Sequence, residues 1–219
     1  MKHIIISCAL AASLASSLVE AGPITYLDNE QRVAAFSDNV YRYVVAPLPW
    51  TMALTAATSY SWNGQAGHLA TVTSLAENEF LYEAFIGPRH ATPGVNLEQS
   101  QAWIALSDAQ SEGVWRWMAG PEQGTTAAFT NWNLGEPNNL GDEDYAVIHW
   151  QNRGLGTGRW YDYGNSNDFG NIGIPGQPFL VEFENALTPA PVPVPAALPL
   201  LASALAGFGV WRRRASARH

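Results

Sequence analysis

Residues 130–150 read Thr130-Asn-Trp-Asn-Leu-Gly-Glu-Pro-Asn-Asn-Leu-Gly-Asp-Glu-Asp-Tyr-Ala-Val-Ile-His-Trp150. Two kinds of chain meet here. From Gly135 to Asp144 every residue but Leu140 is a turn former or an oxygen donor,. The run Tyr145–Trp150 is short and apolar, which suits a strand. Taken alone, Glu136-Pro137-Asn138 is a turn and Asp142-Glu143-Asp144 a solvated acidic patch. Set together beside a strand, the same residues make a loop rich in carboxylate and amide oxygens, the donor set of a hard cation.

Upstream, Asn39–Ala46 alternates through Val40, Tyr41, Tyr43 and Val45 as a first strand does. Trp50–Tyr60 is rich in Ala and Leu and predicts a helix. Ser74 and Glu77 form a capping box, and Leu75, Ala76, Phe80, Leu81, Ala84 and Phe85 recur at helical spacing, predicting a second helix that ends near Gly87-Pro88. Later apolar runs (Ala102–Leu106, Val114–Met118, Tyr145–Trp150, Phe179–Phe183) are separated by Gly, Asn and Pro, the pattern of strands and loops. Helices followed by strands give an α+β domain. The span Gly120–Gly176 reads as one long loop, of the kind that carries function or needs a ligand to order it. Its part Tyr163–Gln177, rich in Asn and Gly, carries no motif.

The chain has 219 residues, 47% hydrophobic and 14% charged, with nine Trp and eight Tyr. Residues 22–189 hold 18 acids against six arginines, a net charge of −12. Such a surface repels phosphate backbones, which argues against nucleic-acid binding. Lys2, an apolar run Ile4–Val19 and the small-residue end Ala21 read as a secretory signal peptide over residues 1–21, with a retained membrane anchor as the alternative. The single cysteine, Cys8, falls inside it, so the mature domain, residues 22–187, is expected to have no disulfide. Residues 188–195 alternate with proline and form an extended spacer. The apolar stretch 196–211 would reach about 24 Å as a helix, short of the roughly 30 Å hydrocarbon thickness, and a basic tail follows at 212–219.

Several pieces share one resemblance. Gly67-His-Leu-Ala-Thr-Val72, Ser74 with Glu77-Asn-Glu-Phe-Leu81, Ala102-Trp-Ile-Ala-Leu106, Glu112-Gly-Val-Trp-Arg-Trp117, Thr130-Asn-Trp132, Gly135-Glu-Pro-Asn-Asn139 and Glu143-Asp144 follow one another in the order of a C-type lectin-like domain of bacterial type. The resemblance runs from about Asn39 to Glu184. It implies two helices, small antiparallel sheets and a long calcium-site loop. The family's cysteines are absent; Trp62, Tyr145 and Val181 stand about where three are expected, and apolar packing is the expected substitute. The five tryptophans 103, 115, 117, 132 and 160 are read as core, and His68 as structural. The end of the chain resembles PEP-CTERM sorting signals, in a variant close to Val-Pro-Leu-Pro-Ala, which implies an exosortase-type protease as a processing partner. It also implies export to the cell envelope or beyond, with membrane anchoring before processing; a plain C-terminal anchor is the alternative.

The lectin resemblance assigns Glu136, Asn138, Glu143 and Asp162 to a sugar-associated calcium site, with a cis peptide before Pro137. It assigns Asp108, Glu112, Asn139, Glu143 and Asp144 to an auxiliary calcium site. Glu136, Asn138 and Glu143 would also hydrogen-bond the sugar, and the Glu-Pro-Asn order goes with mannose-type vicinal hydroxyls. Tyr161 departs from the family's Trp-Asn-Asp motif. It removes one amide oxygen and either weakens the site or offers a ring for sugar stacking. The reading is an exported, calcium-dependent carbohydrate-binding protein at the cell surface or in extracellular polysaccharide. The alternative is the same fold without sugar binding, acting in protein recognition or as a matrix component. An enzyme is not expected: carboxylates gathered on a cation are held deprotonated and make poor general acids.

Overall fold

The computed structural model describes residues 24–30, 32–87, 101–150, 158–166 and 176–187. The leader, the proline spacer and the C-terminal apolar stretch lie outside them. No helix among the described residues is long and apolar enough to cross a membrane. The order is β1 (Val33–Phe36), β2 (Asn39–Leu48), α1 (Trp50–Ala57), the hairpin β3 (Ser61–Trp62) and β4 (Gln65–Ala66), β5 (His68–Leu69) and α2 (Leu75–Leu81). Then come a π-helical turn (Tyr82–Ile86), β6 (Gln101–Ser107), β7 (Arg116–Trp117), β8 (Tyr145–His149), β9 (Arg159–Tyr163) and β10 (Gln177–Phe183). The main path is β1-β2-β10-β6-β8-β9, with β5 on β10 and β7 on β6.

The expected α+β architecture of two helices with antiparallel sheets is present, in a particular form. Most strands join one eight-stranded sheet, and the β10–β6 junction is parallel, with Phe179 opposite Trp103. Helix α1 stops at Ala57 rather than Tyr60: Thr58 and Ser59 turn their side chains back onto the carbonyls of Thr55 and Ala56, and competition of this kind for helix carbonyls ends helices. Helix α2 starts as the capping box predicts, with Ser74 accepting from the Glu77 N–H at 3.2 Å. The span 120–176 is not one loop. Strands β8 and β9 pair within it over five residues each, and only β8 shows an apolar run in the sequence.

Strands β6 and β10 are buried along their whole length, so the core lies around the sheet's centre. The five tryptophans read as core are buried, Trp132 partly. Trp50 and Trp103 satisfy their indole N–H groups on the carbonyls of Ile104 and Leu48. At the positions where family cysteines are expected, Tyr145 packs on Trp50 with ring centroids 4.6 Å apart and Val181 is fully buried. Gly67 allows this packing, because a Cβ there would stand 2.6 Å from Val181 Cγ1.

One polar row crosses the core. Tyr41 on β2 and His68 on β5 both stand opposite Glu182 on β10. The Tyr41 hydroxyl lies 2.7 Å from Glu77 Oε1 and 2.8 Å from Glu182 Oε1. A phenol has one hydrogen, so Tyr41 donates to one carboxyl and the other donates to it; the row holds a proton. Burial pushes both carboxyls up, Glu182 to about 8, where the charges of Glu77 and Glu184 add to the effect. A raised carboxyl contributes stability in full below its unfolded pKa and loses it as pH rises through the folded value. In metal-free buffer the melting temperature therefore falls between about pH 5 and about pH 9, and Glu182→Gln removes part of that fall. An unchanged slope in the variant, followed by circular dichroism, would contradict the shared proton.

Candidate functional site

Strand β9 builds the site. Trp160 is fully buried, with Phe129, Trp132 and Trp117 around it at centroid distances of 5.6, 5.8 and 6.2 Å. Its indole N–H donates to Asn78 Oδ1 at 2.7 Å. The segment 131–133 runs beside β9 as a strand would: Trp160 N–H donates to the Asn131 carbonyl and Asn133 N–H to the Trp160 carbonyl, each at 2.9 Å. The Glu136 N–H then donates to the Asn133 carbonyl, and the chain turns through the cis peptide Glu136-Pro137.

Two residues beyond Trp160, Asp162 is 1% exposed. Its carboxylate accepts the backbone N–H of Asn138 at 3.0 and 3.1 Å and that of Asn139 at 2.7 Å. The Asn138 amide donates to Glu136 Oε2. The Leu140 N–H donates to Asn138 Oδ1 at 2.8 Å and to Glu143 Oε2 at 3.1 Å, so these two oxygens lie side by side. Glu136, Asn138, Glu143 and Asp162, far apart in sequence, are thus gathered around one turn. The Glu136 carboxyl is pushed up to about 7, by burial first, then by Asp162 and Glu143. Like charges held this close favour either a proton or a cation.

A second group lies after β6. Asp108 is 2% exposed; Oδ2 accepts the Gly113 N–H at 2.8 Å, while Oδ1 is buried without a hydrogen bond. Burial raises its carboxyl, and the charges of Glu112 and Asp144 add to this. Asp108, Glu112 and Asp144 are therefore neighbours. Asn139 belongs by its hydrogen bonds to the first group: its Oδ1 accepts the Glu143 N–H at 2.7 Å. Tyr161 is buried, its ring 4.8 Å from that of His149, and its hydroxyl accepts from Asn133 Nδ2 at 2.6 Å. That ring is committed to the core and presents no face for a sugar to stack on.

Sequence reading missed the Tyr41–Glu77–Glu182 row and the approach of Glu184 to His68. Glu182 near the end of β10 and Glu184 in the turn after it are close in sequence, but nothing in the sequence says that Tyr41, Glu77 and His68 lie against them.

The family model described as Lectin C-type domain matches residues 52–171. Halomucin of Haloquadratum walsbyi is 30% identical over 170 residues, covering 73% of this chain and 2% of halomucin. The alpha-N-acetylgalactosamine-specific lectin of Patiria pectinifera is 29% identical, covering 63% of this chain and 74% of that protein. The mannose-binding protein of Gallus gallus is 41% identical over 68 residues, 31% of this chain and 23% of that protein. Among solved structures, the carbohydrate-recognition domain of mouse scavenger receptor C-type lectin superposes with a TM-score of 0.51 at 20% identity, over 70% of this chain and 95% of that one. This last likeness concerns the fold.

Asp162 holds the turn even without an ion. Asp162→Ala leaves two part-buried backbone N–H groups without their acceptor and should lower the unfolding free energy by about 1–3 kcal/mol in chelator. Urea unfolding measures this; an unchanged midpoint would show that the turn does not depend on Asp162.

Proposed function

The chain belongs to the C-type lectin domain family, and from that premise we propose that it is an exported, calcium-dependent carbohydrate-binding protein. The observation that carries this reading is the gathering of Glu136, Asn138, Glu143 and Asp162 around one turn. All their donor atoms are hard oxygens, three of the four residues are acids, and calcium takes such oxygens. Burial, and after it the charges of Asp162 and Glu143, lift the Glu136 carboxyl, and calcium would offset both. The orphaned Oδ1 of Asp108, with Glu112 and Asp144 close by, fits an auxiliary calcium that would hold the end of β6 against the loop. When bound, the first ion supplies a Lewis-acid contact for two vicinal sugar hydroxyls. Glu136 and Glu143 accept hydrogen bonds from those hydroxyls, and the Asn138 amide donates to them. The Glu-Pro-Asn order supports mannose-type ligands, as a free glycan or within extracellular polysaccharide. No catalytic role is assigned.

A second reading, protein recognition or a matrix role without sugar, is favoured by Tyr161: it stands where an amide ligand is expected and is buried in the core. In both readings residues 1–21 direct export, 22–187 form the lectin domain, and residues 188–195, 196–211 and 212–219 form a PEP-CTERM-like signal handled by an exosortase-type protease. The sequence of these ends supports that assignment.

Glycan-array binding of the purified chain in calcium and in chelator tests the reading. Mannose-type glycans should be retained in calcium, lost in chelator, and bound at least about tenfold more weakly by Glu136→Gln, a loss of about 1.4 kcal/mol or more. Absence of glycan binding, or binding unaffected by chelator, would contradict it.

A further inference from the structure

A different group of side chains sits at the β5–β10 pair and shares no residue with the loop. His68 stands opposite Glu182, and Glu184 follows two residues on, in the turn just past β10. One ligand atom from each of His68, Glu182 and Glu184 lies within 4.8 Å of the other two. His68 Nδ1 is 2.9 Å from the Leu69 carbonyl oxygen. A carbonyl only accepts, so Nδ1 carries the hydrogen, and in the neutral ring the lone pair is on Nε2. That Nε2 is buried and makes no hydrogen bond. It lies 3.3 Å from Glu184 Oε1, an ion-pair distance without hydrogen-bond geometry. With the ring neutral, two lone-pair atoms face each other across that distance,. The ring is also confined: a Cβ on Gly120 would come within 2.8 Å of His68 Cε1.

We infer that His68, Glu184 and Glu182 form a binding site for a zinc-type divalent cation. Imidazole nitrogen beside carboxylate suits zinc and its first-row neighbours, whereas calcium prefers oxygen alone. Zinc bonds of about 2.0–2.2 Å at a tetrahedral angle put the nitrogen and oxygen ligands about 3.4 Å apart, close to the 3.3 Å found here. A ligating histidine is oriented by the partner of its other nitrogen, and the Leu69 carbonyl fills that place. Glu182 already accepts from Tyr41, Asn39 and Thr71. The Thr71 hydroxyl also lies 3.1 Å from Glu122 Oε2, so it can leave Glu182 and keep a partner, freeing a lone pair. Two carboxylates and a neutral imidazole balance the ion's charge. A cleft of about 280 Å³ lined by Thr71, Glu122, Glu182 and Glu184, but not by His68, opens on the carboxylate side of the group.

The test is a zinc titration of the full chain, without a histidine tag and in saturating calcium, read by competition with a chromophoric chelator. One zinc per chain is expected, with affinity reduced roughly tenfold or more in His68→Gln and in Glu184→Gln. No zinc binding, or binding undiminished in both variants, would overturn the inference and leave an imidazolium–carboxylate ion pair. Zinc-edge anomalous diffraction from the wild-type chain decides the matter if either variant fails to fold. A peak between His68 and Glu184 supports the site, and its absence there overturns it.

Discussion

The site depends on one short strand. In β9, Trp160 is locked among aromatic rings and Asp162, two residues on, holds the backbone of Asn138 and Asn139. The stretch 131–143 is mostly irregular, and irregular backbone loses roughly 1–2 kcal/mol of entropy per residue fixed. It is ordered because its first residues lie along Trp160 and its turn hangs on one buried carboxylate. The same contacts set where Glu136 and Glu143 can point, so the position of the oxygen cluster follows from the packing of an indole.

A chain with a single cysteine, Cys8, has no disulfide of its own to tie the domain's ends together. Its closure is made by β10, which joins the N-terminal hairpin through β2 and β5 to the β6–β8–β9 half of the sheet. Aromatic contact replaces covalent bonding there: Tyr145 on Trp50, Trp103 fully buried, and Val181 pressed against Gly67. The buried Glu182 carboxyl is kept there because Tyr41, Asn39 and Thr71 supply hydrogen bonds to it. A lone carboxylate in that position would be too costly to keep ionised.

Helices and central strands were legible because each carries its own periodicity: the capping box at Ser74 and the apolar run of β6 needed no tertiary context. Motif order led to the expectation that Glu136, Asn138, Glu143 and Asp162 act together, and one turn does bring them together. Strand β9 was hidden: Arg159-Trp-Tyr-Asp-Tyr163 mixes buried and half-buried residues without alternation and depends on β8 for its pairing. The polar row was hidden for another reason. Its members lie on β2, β5, α2 and β10, and only sheet register and the packing of α2 bring them together. Tyr161 shows the limit of motif transfer. Its place in the motif suggested a sugar contact, and its size took it into the core against His149 instead.

The loop cluster, in which burial and then the neighbouring carboxylates hold Glu136 up at about 7, is the feature on which the functional account stands. Calorimetric titration of calcium into the metal-stripped chain tests it most directly. The account predicts saturable calcium binding that Asp162→Asn abolishes or greatly weakens. A flat titration of the wild-type chain at millimolar calcium, beyond the weakest affinities usual for extracellular calcium modules at about 10⁻³ M, would contradict it.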